Sequence, residues 1–206
     1  MDEHCKGFRM VMDALKGTYI LASGSPRRRE LLAGLGVDFT VDTPHDVDES
    51  HGPETPTLDV APMLALRKLR AYKEQRRPAA DVTVISADTV VIIDNRVLGK
   101  PASADDAREM LRLLSGRTHL VVTGVAVGRG DVEHCDRQVT EVTFARLSDE
   151  EIDHYVTCYR PFDKAGAYGI QEWIGYIGIS SINGDYYNVM GLPVRMVYNI
   201  LKSLED

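Results

Sequence analysis

The stretch TYILASGSPRRRELLAGLG, residues 18–36, decides the fold of this chain. Its first five residues, 18–22, are β-prone, and the leucines that follow lie three and four positions apart, as on one face of a helix. Ser25 suits the N-cap, Pro26 suits the first helical position, and Gly36 suits the C-terminal stop. The stretch therefore predicts a strand, a tight turn and a helix.

The rest of the chain alternates between helix and strand signals. Further helices are predicted over residues 58–75 and after Ser103, Ser148 and Pro193, and strands over residues 82–86, 90–93, 120–127, 139–144 and 177–182. A turn signal at Asn183-Gly184 adds hairpin character to this alternation. The combination predicts an α/β fold with a mixed, twisted sheet and flanking helices.

The composition excludes several classes of protein. A chain of 206 residues with 44% hydrophobic residues predicts one α/β domain or two closely packed lobes. The net charge of −7 argues against nucleic acid as a partner. No run approaches the roughly 18 apolar residues of a membrane span, and the N-terminus lacks a secretory signal. Three scattered cysteines, Cys5, Cys135 and Cys158, favour reduced thiols. We therefore expect a cytoplasmic protein without membrane contact.

The turn between the first strand and helix predicts an anion site. A helix N-terminus offers free N–H groups and partial positive charge, and Gly24 lets a ligand approach the backbone beside Ser23. Arg27 and Arg28 add planar cations whose geometry matches phosphate oxygens. The alternative is an ordinary capped helix with solvated arginines. The spacing is not that of a Walker loop.

Two carboxylates are candidates for metal binding and proton transfer. Asp88 follows an apolar strand, where a carboxylate can hold a metal or orient a water. Glu49 lies in an acidic loop. Each has a plainer interpretation, Asp88 as a turn former and Glu49 as a solvated surface residue. If the two converge, they form a hard-oxygen site for Mg²⁺.

Two lysines and a glutamine complete the set of candidates. Lys68 lies on the second predicted helix and Lys100 between a glycine and a proline, and either ammonium could neutralise a phosphate. Lysines on helices are usually exposed to solvent, which is the plainer interpretation of Lys68. Gln171 ends a stretch rich in glycine and alanine, and its amide could hydrogen-bond the edge of a base. That stretch is equally consistent with a tight structural turn.

Five motifs occur together in a fixed order. They are Ser-Gly-Ser-Pro-Arg-Arg at 23–28, Ala-Asp-Thr at 87–89, Gly-Lys-Pro at 99–101, Lys-Ala-Gly-Ala-Tyr-Gly-Ile-Gln at 164–171 and Gly-Leu-Pro at 191–193. This set resembles the Maf-like nucleotide pyrophosphatases, also called septum-formation inhibitor proteins. The resemblance covers residues 19–204, so we expect an N-terminal extension over residues 1–17 and a Maf-like domain over residues 18–206.

The resemblance implies a fold, a reaction and a set of roles. The fold would have two lobes around a cleft, similar to inosine triphosphate pyrophosphatases, and the protein would be a homodimer. The reaction would cleave a nucleoside triphosphate between its α and β phosphates with a divalent cation, Mg²⁺ or Mn²⁺. Asp88 would accept the proton and share the metal with Glu49, while Arg28, Lys68 and Lys100 would bind phosphates.

Three positions tied to substrate choice in this family are Arg27, Thr89 and Gln171 here. Their combination resembles the branch that acts on dTTP and UTP, and CTP or modified pyrimidine nucleotides are further candidates. The branch that acts on 7-methyl-GTP carries Trp, Gln and Glu as replacements, and none of those replacements is present in this chain. The alternatives are therefore a 7-methyl-GTP pyrophosphatase and a non-catalytic nucleotide-binding regulator of cell division.

Overall fold

The computed structural model describes Leu15 and residues 17–204. Nearly all of the expected extension over residues 1–17 thus lies outside the described residues. The strands are β1 Thr18–Leu21, β2 Phe39–Val41, β3 Val82–Ile93, β4 Arg96–Leu98, β5 Thr118–Arg129, β6 Val132–Phe144 and β7 Ile179–Asn183. The helices are α1 Pro26–Ala33, α2 Thr57–Arg76, α3 Ala104–Leu114, α4 Asp149–Tyr159, α5 Trp173–Gly178, α6 Tyr186–Met190 and α7 Val194–Ser203.

The seven strands form one mixed sheet. Its order is β2-β1-β3-β5-β6-β7, and β4 pairs with the far end of β3. β1 runs parallel to both β2 and β3, whereas β3, β5, β6 and β7 pair antiparallel in turn. The mixed sheet with flanking helices that the sequence predicts is confirmed.

One edge of β3 is only partly covered. β1 pairs with β3 as far as Ile85, and β4 pairs with it from Val91 onward. Among the described residues, no strand covers residues 86–90 on this side, although β5 pairs with them on the other. The middle of this central strand is therefore open to a ligand from one side.

The two faces of the sheet are packed differently. On one face α2 lies so close to β5 that a Cβ at Gly124 would come 2.2 Å from the backbone nitrogen of Pro62, so glycine is needed there. On the other face, two apolar clusters lie near opposite ends of β3, one including Val91 and Ile93 and the other Ile85 and Ala87. Each end of β3 therefore has its own apolar cluster on this face.

Several local predictions are confirmed and two are corrected. Ser25 caps α1 with Pro26 in the first turn, and Ser148 forms the capping box of α4. The segments 82–86 and 90–93 are one continuous strand, because β5 pairs with β3 throughout residues 83–92. The predicted strand over 177–182 starts only at Ile179, because the residues before it form α5. No helix among the described residues is long and apolar enough to cross a membrane.

Candidate active site

One cleft of about 650 Å³ opens where β3 lacks a neighbouring strand. It is lined by all nine residues that the sequence singles out: Ser23, Arg27, Arg28, Glu49, Lys68, Asp88, Thr89, Lys100 and Gln171. They come from the turn after β1, α1, the loop after β2, α2, β3, the loop after β4 and the segment before α5. The structure thus brings all nine candidates together in one cleft, and their contacts indicate which roles they can have.

Arg28 is the most heavily bonded side chain of the cleft. Its Nε donates to the carbonyl of Gly191 at 2.8 Å, and its Nη1 donates to the carbonyl of Ala87 at 2.7 Å and to the Ser23 hydroxyl at 3.2 Å. Its Nη2 donates to the Thr89 hydroxyl at 3.1 Å. Burial lowers the pKa of Arg28, and the negative charge of Asp88 opposes that shift. Four hydrogen bonds to the protein leave one of its five N–H groups for a phosphate.

A buried polar network continues from Thr89 into the core. The hydroxyls of Thr89 and Thr123 lie 2.9 Å apart, and Thr123 donates to the carbonyl of Asn188. The Asn188 amide in turn donates to the carbonyl of Val121 and the hydroxyl of Thr140. Thr123 and Asn188 were missed by sequence reasoning. The available signal for Asn188 was its place in the sequence Asn-Val-Met-Gly-Leu-Pro, residues 188–193, before α7. The network fixes the strand segment that carries Thr89.

Lys68 lies between two carboxylates. Its Nζ donates to Asp88 Oδ1 at 2.5 Å and is 2.7 Å from Glu49 Oε1. The Lys68 and Asp88 side chains are 15% and 13% exposed, whereas that of Glu49 is 54% exposed. The hydrogen bond from Lys68 lowers the pKa of Glu49 despite the opposing effect of burial, and the charges of Lys100 and Arg28 lower it further. A Lys68 that would otherwise point to solvent is thus held in the cleft.

The loop that carries Glu49 is fastened to α2. Arg67 Nη1 donates to the carbonyl of Ser50 at 2.5 Å and to that of Asp48 at 3.4 Å, the two residues on either side of Glu49. Farther along α2, the Gln75 amide exchanges two hydrogen bonds with the backbone of His45. Glu49 therefore enters the cleft from a loop with several anchors.

The donor set suits a hard divalent cation. Asp88 and Glu49 converge on one point, which the Lys68 ammonium occupies, and Mg²⁺ is typically held by one or two carboxylates together with substrate phosphates and waters. Among the described residues no group of three or more His, Cys, Asp or Glu side chains has metal-binding geometry. Two protein carboxylates completed by a ligand's phosphates would satisfy the coordination that Mg²⁺ requires.

A row of four charged residues crosses one side of the cleft, and we call it the charge chain: Arg27, Asp163, Lys164 and Glu172. Arg27 Nη1 donates to Asp163 Oδ2 at 2.8 Å, and Lys164 Nζ donates to Asp163 Oδ1 at 2.8 Å and lies 3.1 Å from Glu172 Oε1. Burial alone would raise the pKa of Asp163, but the hydrogen bonds from Lys164 and Arg27 lower it to about 2. Asp163 and Glu172 were missed by sequence reasoning, and Lys164 was named only as the first residue of the motif at 164–171.

Gln171 lies in the segment that the charge chain organises. Its Oε1 is buried and has no hydrogen-bond partner among the described residues. An unsatisfied buried acceptor is costly, and a ligand N–H is one way to satisfy it. The tight-turn interpretation of this stretch is also correct, because Gly166 adopts φ +66 in a short 3-10 helix, Ala165–Ala167.

The alternation of β3 separates the candidates into two groups. Asp88 points toward α2, where it meets Lys68 and Glu49, whereas Thr89 points to the opposite face and meets Arg28. The charge chain and Gln171 come from the segments beyond that opposite face. The carboxylates suited to metal binding, together with Lys68, therefore lie on one side of the strand, whereas Arg28 and the groups suited to base recognition lie on the other.

A family model described as Maf-like protein matches residues 18–204 of this chain. The chain belongs to the Maf-like protein family. A dTTP/UTP pyrophosphatase from Phocaeicola vulgatus is 50% identical over 196 residues, which cover 95% of this chain and 100% of the relative. A dTTP/UTP pyrophosphatase from Porphyromonas gingivalis is 48% identical over 197 residues, covering 96% and 99% of the two chains. Among solved structures, a HAM1 protein from Coxiella burnetii has a TM-score of 0.48 and 17% identity, covering 91% of this chain and 100% of that one.

Next to the cleft, this Maf-like protein buries a histidine. His119 is 2% exposed, its Nε2 lies 2.8 Å from the Tyr168 hydroxyl, and its Nδ1 has no partner among the described residues. Its ring also packs against Phe144 with a centroid distance of 5.4 Å. Burial lowers the pKa of His119 to about 4. The imidazole is therefore neutral in the folded protein at neutral pH.

We expect His119→Gln to make the stability of this Maf-like protein less sensitive to acid. The unfolded histidine, with a pKa of 6.5, binds protons more readily than the folded one, so its contribution to stability is present above pH 6.5 and is lost as the pH falls toward 4. Between pH 7 and pH 5 the free energy of unfolding of the wild type falls by about 2 kcal/mol through this group, and the glutamine variant does not have this loss. Urea unfolding of both proteins at both pH values measures the difference, and equal losses would contradict the prediction.

Proposed function

We propose that this Maf-like protein hydrolyses dTTP and UTP to the monophosphate and pyrophosphate. The observation that carries the proposal is the convergence of Lys68, Asp88 and Glu49 at the open edge of β3, opposite a separate recognition side. Relatives with 48–50% identity over nearly the whole chain are named dTTP/UTP pyrophosphatases, which supports the choice of substrate.

The side chains that act on the phosphates have distinct roles in this reaction. Asp88 accepts the proton of a water that attacks the α-phosphorus, and the bond from that phosphorus to the bridging oxygen breaks as pyrophosphate leaves. Negative charge grows on the leaving group, and Lys68 and Lys100 neutralise it. Arg28 contributes its remaining N–H and holds the wall of the cleft through its other four hydrogen bonds. Ser23 and the start of α1 add donors to the same anion site.

Glu49 and Asp88 are the residues that would hold a divalent cation, Mg²⁺ or Mn²⁺. When bound, such an ion would neutralise phosphate oxygens that the lysines do not reach. For the carboxylates to serve it, the Lys68 ammonium has to leave the point between them and turn to a phosphate. Lys68 then binds the triphosphate, and the two carboxylates are left for the ion.

The base lies on the opposite side of β3. Uracil and thymine both present an imide N–H, which suits the unpartnered Oε1 of Gln171. Thr89 and Arg27 complete this side, and both are held by contacts within the protein. The same chemistry accommodates modified pyrimidines that keep the imide N–H.

A homodimer in the cytoplasm completes the proposal. The unpaired thiols of Cys135 and Cys158 support a reducing compartment. Tyr176, Tyr186 and Tyr187 are 79%, 40% and 48% exposed around the sheet edge formed by β7, and exposed apolar groups of this kind favour contact with a second copy.

Pyrophosphate release from a panel of triphosphates tests the proposed reaction and its substrates. The panel contains dTTP, UTP, CTP, 5-methyl-UTP, pseudouridine triphosphate and 7-methyl-GTP, each with Mg²⁺ and with Mn²⁺. We expect the uridine and thymidine nucleotides to have the highest kcat/KM. A preference for 7-methyl-GTP would retain the reaction and overturn the assignment of Arg27, Thr89 and Gln171.

We expect Gln171→Glu to change the preference among bases more than the overall rate. A glutamate loses the amide N–H donors and adds a charge, so it matches the edge of uracil less well than glutamine does. The ratio of kcat/KM for UTP to that for CTP should fall about tenfold, the effect expected of one well-placed hydrogen bond. Glu172→Gln is an unsuitable control because it alters the charge chain, so Glu109→Gln, on the surface of α3, serves instead. An unchanged ratio in Gln171→Glu would exclude Gln171 as the base reader.

A further inference from the structure

The charge chain has a buried end and an exposed end. Lys164 is 8% exposed and is neutralised by Asp163 and Glu172 together. Glu172 also accepts a hydrogen bond from the Tyr155 hydroxyl, which accepts one from the backbone N–H of Gly169 at 3.0 Å. Buried charges of this kind persist where every partner is present. The end of the charge chain formed by Lys164 and Glu172 is therefore fixed in position.

The exposed end reaches across to a different wall of the cleft. Arg27 belongs to the first turn of α1, whereas Asp163 precedes the short 3-10 helix, 136 residues later in the sequence. One carboxylate oxygen of Asp163 accepts from Arg27 and the other from Lys164. Asp163 thus links Arg27 to Lys164, so the position of the Arg27 guanidinium depends on that of the buried Lys164 ammonium.

Both proposed readers of the base depend on this arrangement. Gln171 lies within the segment that folds around Lys164, and Arg27 is held from the same segment by Asp163. The separation between these two side chains sets how wide the recognition side of the cleft is. Because Asp163 has a pKa of about 2, the ionic link stays intact throughout the pH range of an enzyme assay.

We propose that Asp163 is a positioning residue that determines base specificity by holding Arg27 at a fixed distance from Gln171. Asp163 acts through Arg27 and does not take part in the phosphate chemistry on the other side of β3. This role of Asp163 rests on the proposed function, in which the recognition side binds a pyrimidine base. The proposal commits to discrimination between uracil and cytosine, whose edges differ in the groups that Gln171 and Arg27 face.

The test is the effect of Asp163→Asn on discrimination. Arg27 and Lys164 donate to different oxygens of Asp163, and an asparagine places an NH2 donor at one of these two positions, so it cannot keep both hydrogen bonds in this geometry. We expect the ratio of kcat/KM for UTP to that for CTP to fall about tenfold, mainly through KM, while kcat for UTP changes by less than about twofold. Asp163→Glu is the second variant, since it keeps the charge beside Lys164 and displaces Arg27. It should lower the ratio in the same direction.

A double-mutant cycle shows whether Asp163 acts through Arg27. In an Arg27→Ala background, Asp163→Asn should change the ratio by less than about twofold, as expected when the partner is already absent. Asp153→Asn is the matched control, because Asp153 also holds an arginine, Arg108 at 2.6 Å, on the surface formed by α3 and α4. That control should leave the ratio at its wild-type value.

Binding constants separate this proposal from the proposed function. Dissociation constants for the α,β-methylene analogues of UTP and CTP report discrimination without turnover. If the wild type released no pyrophosphate from any triphosphate, the proposed function would fail, yet these constants would still test Asp163. An unchanged ratio in both Asp163 variants would overturn the proposal. So would an equal fall whether or not Arg27 is present.

Discussion

Asp88→Asn should release pyrophosphate from dTTP and UTP about 10²-fold more slowly than the wild type, or slower still. Asparagine has nearly the same shape and can still accept the hydrogen bond from Lys68, so the wall of the cleft is preserved. It cannot accept a proton from water, and it is a weaker ligand for a divalent cation. The initial rate at saturating nucleotide measures the loss, and the dissociation constant of an α,β-methylene analogue shows that nucleotide still binds.

Asp94→Asn is the control for this variant. Asp94 follows the end of the same strand and is bonded to Arg117 at 2.6 Å, but it does not line the cleft. Its replacement should leave turnover within about twofold of the wild type, as for surface substitutions away from special features. Near-normal turnover by Asp88→Asn would exclude this carboxylate as the proton acceptor.

Arg28→Lys should lower the free energy of unfolding by about 3 kcal/mol, although it keeps the charge. The arginine bonds Gly191, Ala87, Ser23 and Thr89 with three different nitrogens, and these acceptors belong to three segments: the turn before α1, β3 and the turn before α7. A lysine has one nitrogen with three donors and cannot span them. Two partly buried carbonyls would lose their partner, and each such loss costs about 1–3 kcal/mol. Urea unfolding followed by circular dichroism measures the change.

Arg29→Lys is the neighbouring comparison. Arg29 is exposed on the same helix, so this conservative change should alter the free energy of unfolding by less than about 0.5 kcal/mol. A loss below about 1 kcal/mol in Arg28→Lys would show that the four contacts stabilise the fold less than their geometry suggests.

Local chemistry explains which parts of the fold the sequence could predict. The start of α1 depends on a serine cap and a proline in the first turn, and both signals act within four residues. The capping box at Ser148 is similarly local. The gap along β3 is different, because it depends on where β1 stops and β4 starts, and these strands are separated by more than seventy residues.

The site shows the same division. The residue types of the site and their order along the chain could be predicted from the sequence, since phosphate, metal and base each require particular functional groups. The bond between Arg27 and Asp163 could not be predicted, because nothing in the Asp-Lys-Ala-Gly sequence indicates a partner 136 residues away. Lys164 has no local signal for burial either, because its neutralisation by Glu172 depends on the folded turn. The sequence predicts Arg28 as a phosphate ligand, and only the structure reveals that four of its donors bond the protein.

The measurement to make first is the hydrolysis of UTP by the wild-type protein in ¹⁸O-labelled water, with the products followed by ³¹P NMR. We predict one pyrophosphate for each UMP, with the label in UMP, because water attacks the α-phosphorus. Label in orthophosphate or pyrophosphate would place the attack at another phosphorus and contradict the proposed reaction. Tight binding of UTP without any product would contradict it as well, and would identify the cleft as a nucleotide sensor.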